Sequence, residues 1–196
     1  MDNIDLVFAT NNQNKIIEIR SILKKPFSII TLKDAGIDID IPEPHDTLEA
    51  NASEKSFTIH QLTNKNCFSE DTGLEVFSIN SEPGVKSARY AGEGRNFQDN
   101  INLLLKNLEG KSDRSAQFRT VVSLIWENKE YLFTGICLGT IIEKQKGEAG
   151  FGYDPVFVPE GSHNTFAEMS IEEKNKFSHR KKAVTQLIEF LKMKVS

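Results

Sequence analysis

Leu6-Val7-Phe8-Ala9-Thr10-Asn11-Asn12-Gln13-Asn14-Lys15-Ile16-Ile17-Glu18-Ile19 carries a change of period within fourteen residues. Leu6 to Ala9 is an apolar run of strand length, and Thr10-Asn11-Asn12 ends it with turn-forming side chains. From Asn14 to Lys25, Ile16, Ile19 and Leu23 recur at helical spacing with Ile17 beside them, and Pro26 closes the segment. Strand, polar turn and helix in that order predict an α/β fold, a class that places its ligands at strand ends.

The same reading extends outward. A strand is expected over Phe27 to Leu32, followed by a loop at Ile41-Pro42-Glu43-Pro44-His45-Asp46, where two prolines exclude regular structure. Thr47 is a good N-cap for a helix reaching about Thr63. Ser69-Glu70-Asp71-Thr72-Gly73 reads as a polar knot separating Cys67-Phe68 from a strand-like Leu74 to Ile79. An amphipathic helix is expected from Phe97 to Leu108, with Phe97, Ile101, Leu104, Leu105 and Leu108 as its buried stripe. Ala116 to Trp126 and Tyr131 to Ile142 predict a hairpin through Glu127-Asn128-Lys129-Glu130, and hence a mixed sheet. A glycine-rich stretch, Gly147 to Pro155, precedes a last helix from about Ser178 to Met193.

Composition narrows the function. The 196 residues are 38% hydrophobic and 27% charged, an ordinary globular balance, and no linker or repeat divides them, so one domain over 1–196 is expected. A net charge of -4 argues against nucleic-acid binding and confines any nucleotide to a focused pocket. Cys67 and Cys137 read as free thiols of a reducing cytosol, and the four histidines lack metal-binding spacing, which leaves carboxylates as the candidate metal ligands. Met1 to Ala9 contains Asp2 and Asp5 and lacks a basic region followed by an apolar core, so no signal peptide is expected; nor is a membrane span.

Four places carry candidate chemistry. Thr10 to Lys15 sits where a strand meets a helix N-terminus, which attracts anions, and Lys15 opposes the helix dipole unless an anion lies between them. A solvated lysine remains the alternative. Glu43, Glu70 and Asp71 are hard oxygen donors suited to a hydrated magnesium ion (Mg2+), or to orienting a water, although turns and caps also use such residues. Phe151 between Gly150 and Gly152 offers an open ring face to a flat ligand. Lys174, His179, Arg180, Lys181 and Lys182 gather donors near the last helix.

Together these segments resemble the inosine triphosphate pyrophosphatase family, the non-standard purine NTP pyrophosphatases. Thr10 to Lys15 is similar to the T-x-N-x-x-K opening, and Glu43, Thr47, Asn51, Ala52 and Lys55 follow E-x-x-x-T-x-x-x-N-A-x-x-K. Ser69 to Leu74 and Pro83 to Gly92 resemble the [D/E]-D-[S/T]-G-L and PGxxSARYAG segments; Gly150 to Pro155, Glu172-Glu173-Lys174 and Ser178-His179-Arg180 resemble the carboxyl-terminal signature. Glu70 stands where many members have Asp, and Leu48 and Ala50 replace the commoner Phe and Glu.

The resemblance implies a long mixed β-sheet flanked by helices, with two lobes enclosing an active-site cleft, in a cytoplasmic homodimer. It implies that Thr10, Asn11, Asn12, Gln13, Asn14, Lys15 and Lys55 receive the triphosphate, with Thr72 nearby. Glu43, Glu70 and Asp71 would hold Mg2+, with Asp71 the base that activates water. Phe151, Gly152, Tyr153, Asp154, Lys174, His179 and Arg180 would hold and read the base. The reaction implied is hydrolysis of ITP, dITP or XTP to monophosphate and pyrophosphate. The alternatives are a pyrophosphatase of different base preference and a catalytically silent nucleotide-binding module, which intact Lys15, Glu43 and Asp71 argue against.

Overall fold

In a computed structural model of the chain, residues 3–195 are described; Met1, Asp2 and Ser196 lie outside the described residues, so the reading of a missing signal peptide falls partly beyond them. The apolar run becomes strand β1 (Ile4–Phe8) and the helical pattern becomes α1 (Gln13–Ile22), which ends before Pro26 with Leu23 as its C-cap. β2 (Phe27–Thr31) then lies parallel to β1, with Leu6 opposite Ile29. The strand, turn and helix are those expected from the opening residues, and the parallel pairing of β2 with β1 is the arrangement a helical crossover allows.

The remaining elements are α2 (Leu48–Thr63), β3 (Cys67–Val76), β4 (Glu82–Gly84), α3 (Phe97–Asn107), β5 (Ser115–Trp126), β6 (Lys129–Ile141), β7 (Phe157–Pro159), α4 (Ile171–Phe177) and α5 (His179–Val195), with short 3-10 turns between some of them. Among the described residues the strands form one mixed sheet in the order β2-β1-β3-β5-β6-β7, with β4 paired to β3. Glu127 and Asn128, both at positive φ (51° and 63°), make the tight turn of the β5–β6 hairpin.

The chain forms two compact units: Met1–Asp71, Thr120–Gly135 and Arg180–Ser196 make unit 1, while Thr72–Arg119 and Ile136–His179 make unit 2. In unit 1, alternation along β1 sends Leu6 and Phe8 to one face, with Ile16, Ile19, Leu187 and Leu191, and Val7 to the other, with Ile41 and Ile59. Phe8 and Phe68, register partners on β1 and β3, stack with centroids 4.5 Å apart. Unit 2 has its own core of Leu74, Ile101, Leu104, Phe118, Phe157 and Phe166.

Two expectations need correction. Ser69 to Gly73 is no knot between strands: β3 runs through it unbroken, because each buried polar side chain finds a partner far along the chain, such as the Ala52 carbonyl for the Ser69 hydroxyl. Gly73 is fixed by packing, since a Cβ there would stand 2.6 Å from the Gly84 carbonyl oxygen of β4. The second correction is Phe97. It heads α3 but is 43% exposed, whereas Ile101 and Leu104 of the same stripe are buried.

Candidate active site

The site in unit 1 begins at the N-terminus of α1. Asn12 is its N-cap: its side-chain oxygen accepts from the N–H groups of Asn14 and Lys15, at 3.0 and 3.3 Å, and its own N–H donates to the Thr10 hydroxyl. Asn11 donates to the Ile39 carbonyl. Thr10, Asn11 and Asn12 therefore shape the turn that Lys15 projects from. The Lys15 ammonium lies 3.2 Å from Glu70, while Gln13 is exposed and Asn14 half-buried.

Glu70 and Asp71 are consecutive residues of one strand, so the pleat turns them to opposite faces. Glu70 is buried at 1% exposure and accepts from Arg180 through both oxygens, from Nε at 2.8 Å and Nη2 at 2.9 Å. Arg180 Nη1 pairs with Glu18 on α1. Burial alone would raise the Glu70 pKa, but Arg180 and then Lys15 outweigh it and hold the carboxyl at about 2. The same carboxylates lift Arg180 above its ordinary value.

Asp71 meets Lys55, which reaches over from α2. The Lys55 ammonium is 3.1 Å from Asp71 and 2.6 Å from Glu43, and both partners keep it protonated against burial. Burial raises the pKa of Asp71, and Lys55, shared with Glu43, does not fully offset it. Glu43 comes from the two-proline loop, and Asn51 ties that loop down. Buried at 1% exposure on α2, Asn51 accepts from the His45 N–H and donates to the His45 carbonyl, both at 3.0 Å. A side-chain amide thus replaces a neighbouring strand for one residue of loop.

In unit 2, Asp154 Oδ2 accepts from the Phe151 N–H at 2.9 Å and from the Lys174 ammonium at 2.6 Å. The ammonium also lies 5.3 Å from the Phe151 ring centroid and 5.1 Å from that of Phe166, a cation held against two aromatic faces. Gly150 permits this turn: its φ is +77°, and a Cβ would stand 2.2 Å from Asp154 Oδ2. His179 is buried and stacked on Phe118 at 4.7 Å. Tyr153 is buried too, its hydroxyl donating to the Ser87 carbonyl, while Gly152 and Thr72 are half-buried.

The expected residues thus divide. In unit 1, Lys15 and Arg180 pair with Glu70 and, separately, Lys55 pairs with Glu43 and Asp71; in unit 2, Phe151, Asp154 and Lys174 form a further cluster. Arg180, expected beside the base, donates to Glu70 and pairs with Glu18. Glu43, Glu70 and Asp71 are not gathered into one cluster: among the described residues no three acidic, histidine or cysteine side chains are so grouped. The pleat that separates Glu70 from Asp71 is the reason. Glu18 was missed because it lies off the apolar stripe of α1; its only local signal is standing three residues after Lys15 on a helix.

A family model described as the Ham1 family matches residues 6–190. The dITP/XTP pyrophosphatase of Flavobacterium johnsoniae is 54% identical over 186 residues, which are 95% of this chain and 97% of that one. The solved Ham1 protein of Staphylococcus aureus superimposes with a TM-score of 0.88 at 38% identity, covering 97% of this chain and 100% of its own. A HAM1 protein from Coxiella burnetii gives 0.88 at 33% identity, covering 97% and 99%.

Proposed function

The chain belongs to the Ham1 family, and from that membership and the unit 1 ion pairs we propose that it hydrolyses the non-standard purine nucleotides dITP, ITP and XTP to monophosphate and pyrophosphate. The observation that carries the proposal is the buried Lys55 ammonium shared by Glu43 and Asp71. It holds a carboxylate of raised proton affinity in a fixed place, which is what a general base requires.

Asp71 takes a proton from water as the water oxygen attacks the α-phosphorus. The bond from that phosphorus to the bridging oxygen breaks, and pyrophosphate leaves with the electron pair. Lys55 fixes the orientation of Asp71 and balances its charge. Lys15, at the head of α1, offers its ammonium to the phosphates, with Glu70 as its counter-charge; Arg180 and Glu18 hold Glu70 still. Phosphoryl chemistry of this kind depends chiefly on positioning and charge neutralisation.

Four carboxylates, of Glu18, Glu43, Glu70 and Asp71, face three cations, of Lys15, Lys55 and Arg180. That balance does not by itself attract a triphosphate, so the substrate is expected to arrive with its own cations. Glu43 and Asp71 are hard oxygen donors that would hold a divalent ion, and magnesium is the ion we propose. When bound it supplies neutralisation of the phosphate charge. Glu70, held by Arg180, belongs to the support of Lys15.

In unit 2, Phe151 stacks on the base and Lys174 and His179 present donors to its 6-keto oxygen. Adenine places an amino group there and leaves donors unpaired, at about 1–3 kcal/mol each. We also propose a cytoplasmic homodimer acting as a single catalytic domain; among the described residues no helix is long and apolar enough to cross a membrane. Light scattering reads the oligomeric state.

The deciding experiment is pyrophosphate release from ITP, dITP, XTP, ATP and GTP with and without magnesium. Metal-dependent release from the first three supports the enzyme. Binding of ITP without release from any triphosphate favours the silent nucleotide-binding module.

A further inference from the structure

Phe97 has the spacing of a core residue and the exposure of a surface one. It precedes Ile101 by one helical turn, yet Ile101 is 2% exposed and Phe97 is 43% exposed. Asn96 caps the helix by accepting from the N–H groups of Gln98 and Asp99, so Phe97 holds the first helical position. A side chain there covers ground on the N-terminal side of its own Cα, beyond the end of the helix. Its ring lies 6.3 Å from that of Phe151, with the two planes at 48°.

We propose that Phe97 is the second aromatic wall of the base site, forming with Phe151 a notch that grips the purine ring system. The inference rests on the reading of Phe151 as the stacking ring and adds a residue to it. The exposed Phe97 ring and the half-buried Phe151 ring, packed on each other at this angle, present apolar surface to both a face and an edge of a flat ligand. The Lys174 ammonium, 5.3 Å from the Phe151 centroid, supplies a donor at the same notch, so the favoured ligand is a flat heteroaromatic bearing a carbonyl. Phe97 makes no contact with the reacting phosphate in this scheme. Its grip is the same in the ground and transition states and appears in KM rather than kcat.

The test compares Phe97→Ala with Phe77→Ala, a control at a phenylalanine of similar exposure, 45%, that the notch does not include. The KM for ITP is expected to rise about 5- to 10-fold in Phe97→Ala, with kcat within about twofold, and to stay unchanged in Phe77→Ala. Phe97→Trp gives a readout independent of catalysis: its indole emission, corrected for Trp126, is expected to shift on titration with IMP. An unchanged KM in Phe97→Ala, or an indole emission of Phe97→Trp blind to IMP that calorimetry shows to be bound, overturns the notch and leaves the enzyme standing. Wild-type protein that neither binds IMP nor releases pyrophosphate overturns the functional reading, and the notch with it.

Discussion

Arg180 donates to both oxygens of Glu70, at 2.8 and 2.9 Å, in a pair that water scarcely reaches. Removing one partner of such a pair strands the other's charge, which is worth about 3–5 kcal/mol. Arg180→Met is therefore expected to lower stability by about that amount in urea unfolding, and to lower kcat through a displaced Lys15. The ratio of ITP to GTP turnover should not move. A variant of unchanged stability whose ratio collapses instead assigns Arg180 to reading the base.

The same pair makes stability depend on pH. Glu70 has a pKa of about 2 when folded, below its ordinary 4.5, so between those values the unfolded chain binds more protons than the folded one. The stabilisation is complete above about pH 4.5, is lost as pH falls toward 2, and amounts to about 3 kcal/mol. Urea midpoints of wild type and Glu70→Gln should differ at pH 6 and converge as pH approaches 2. A constant gap assigns the acid sensitivity to other groups.

Asp71 has the opposite sign. Burial raises its pKa, so holding its negative charge is less favourable in the folded chain than in the unfolded one, and at neutral pH that charge works against stability. Asp71→Asn removes that charge and leaves Lys55 with Glu43. The variant is expected to lose on the order of 10² to 10⁴ in kcat while unfolding at no lower urea concentration than wild type. Loss of activity together with marked destabilisation would make Asp71 a structural partner of Lys55 rather than the base.

These residues also show what local pattern can and cannot reveal. The Thr47 cap, the Glu127-Asn128 turn and the change from strand to helix across Thr10 to Asn12 depend on neighbours a few positions away, and all were legible. Ser69 to Gly73 was not: its polarity is satisfied by Ala52, Lys55 and Arg180, far along the chain, so a buried strand had the composition of a loop. Phe97 failed for a related reason, since periodicity fixes an angle around a helix axis and says nothing of where the helix begins relative to the core. The motifs grouped Glu43 with Glu70 and Asp71 and set Lys55 on the triphosphate, whereas the pleat between Glu70 and Asp71 becomes visible only once β3 is known to be continuous.

Gly150 tests unit 2 through its backbone. At φ +77° an alanine is strained, and its Cβ would displace the Asp154 carboxylate that anchors both the Phe151 N–H and Lys174. Gly150→Ala is expected to raise the KM for ITP about tenfold or more and to narrow the preference for ITP over ATP. The urea midpoint is expected to fall, in line with a loss of about 1–3 kcal/mol for the strain alone, while the pH dependence set by Glu70 should remain that of wild type.

Asn51 tests whether loop position limits the chemistry. Its amide satisfies both the N–H and the carbonyl of His45, two residues from Glu43. Asn51→Leu keeps the volume and removes both bonds; Asn51→Asp keeps the acceptor and loses the donor. Leaving the backbone groups unpaired is worth about 1–3 kcal/mol, and a loosened Glu43 no longer holds Lys55 in place. The expected order of kcat is wild type, then Asn51→Asp, then Asn51→Leu, with the KM for ITP little changed because the base cluster is untouched. Equal losses in kcat for both variants would show that the donor bond to the His45 carbonyl alone secures the loop. Full activity in Asn51→Leu would show that Lys55 and the two prolines suffice to place Glu43.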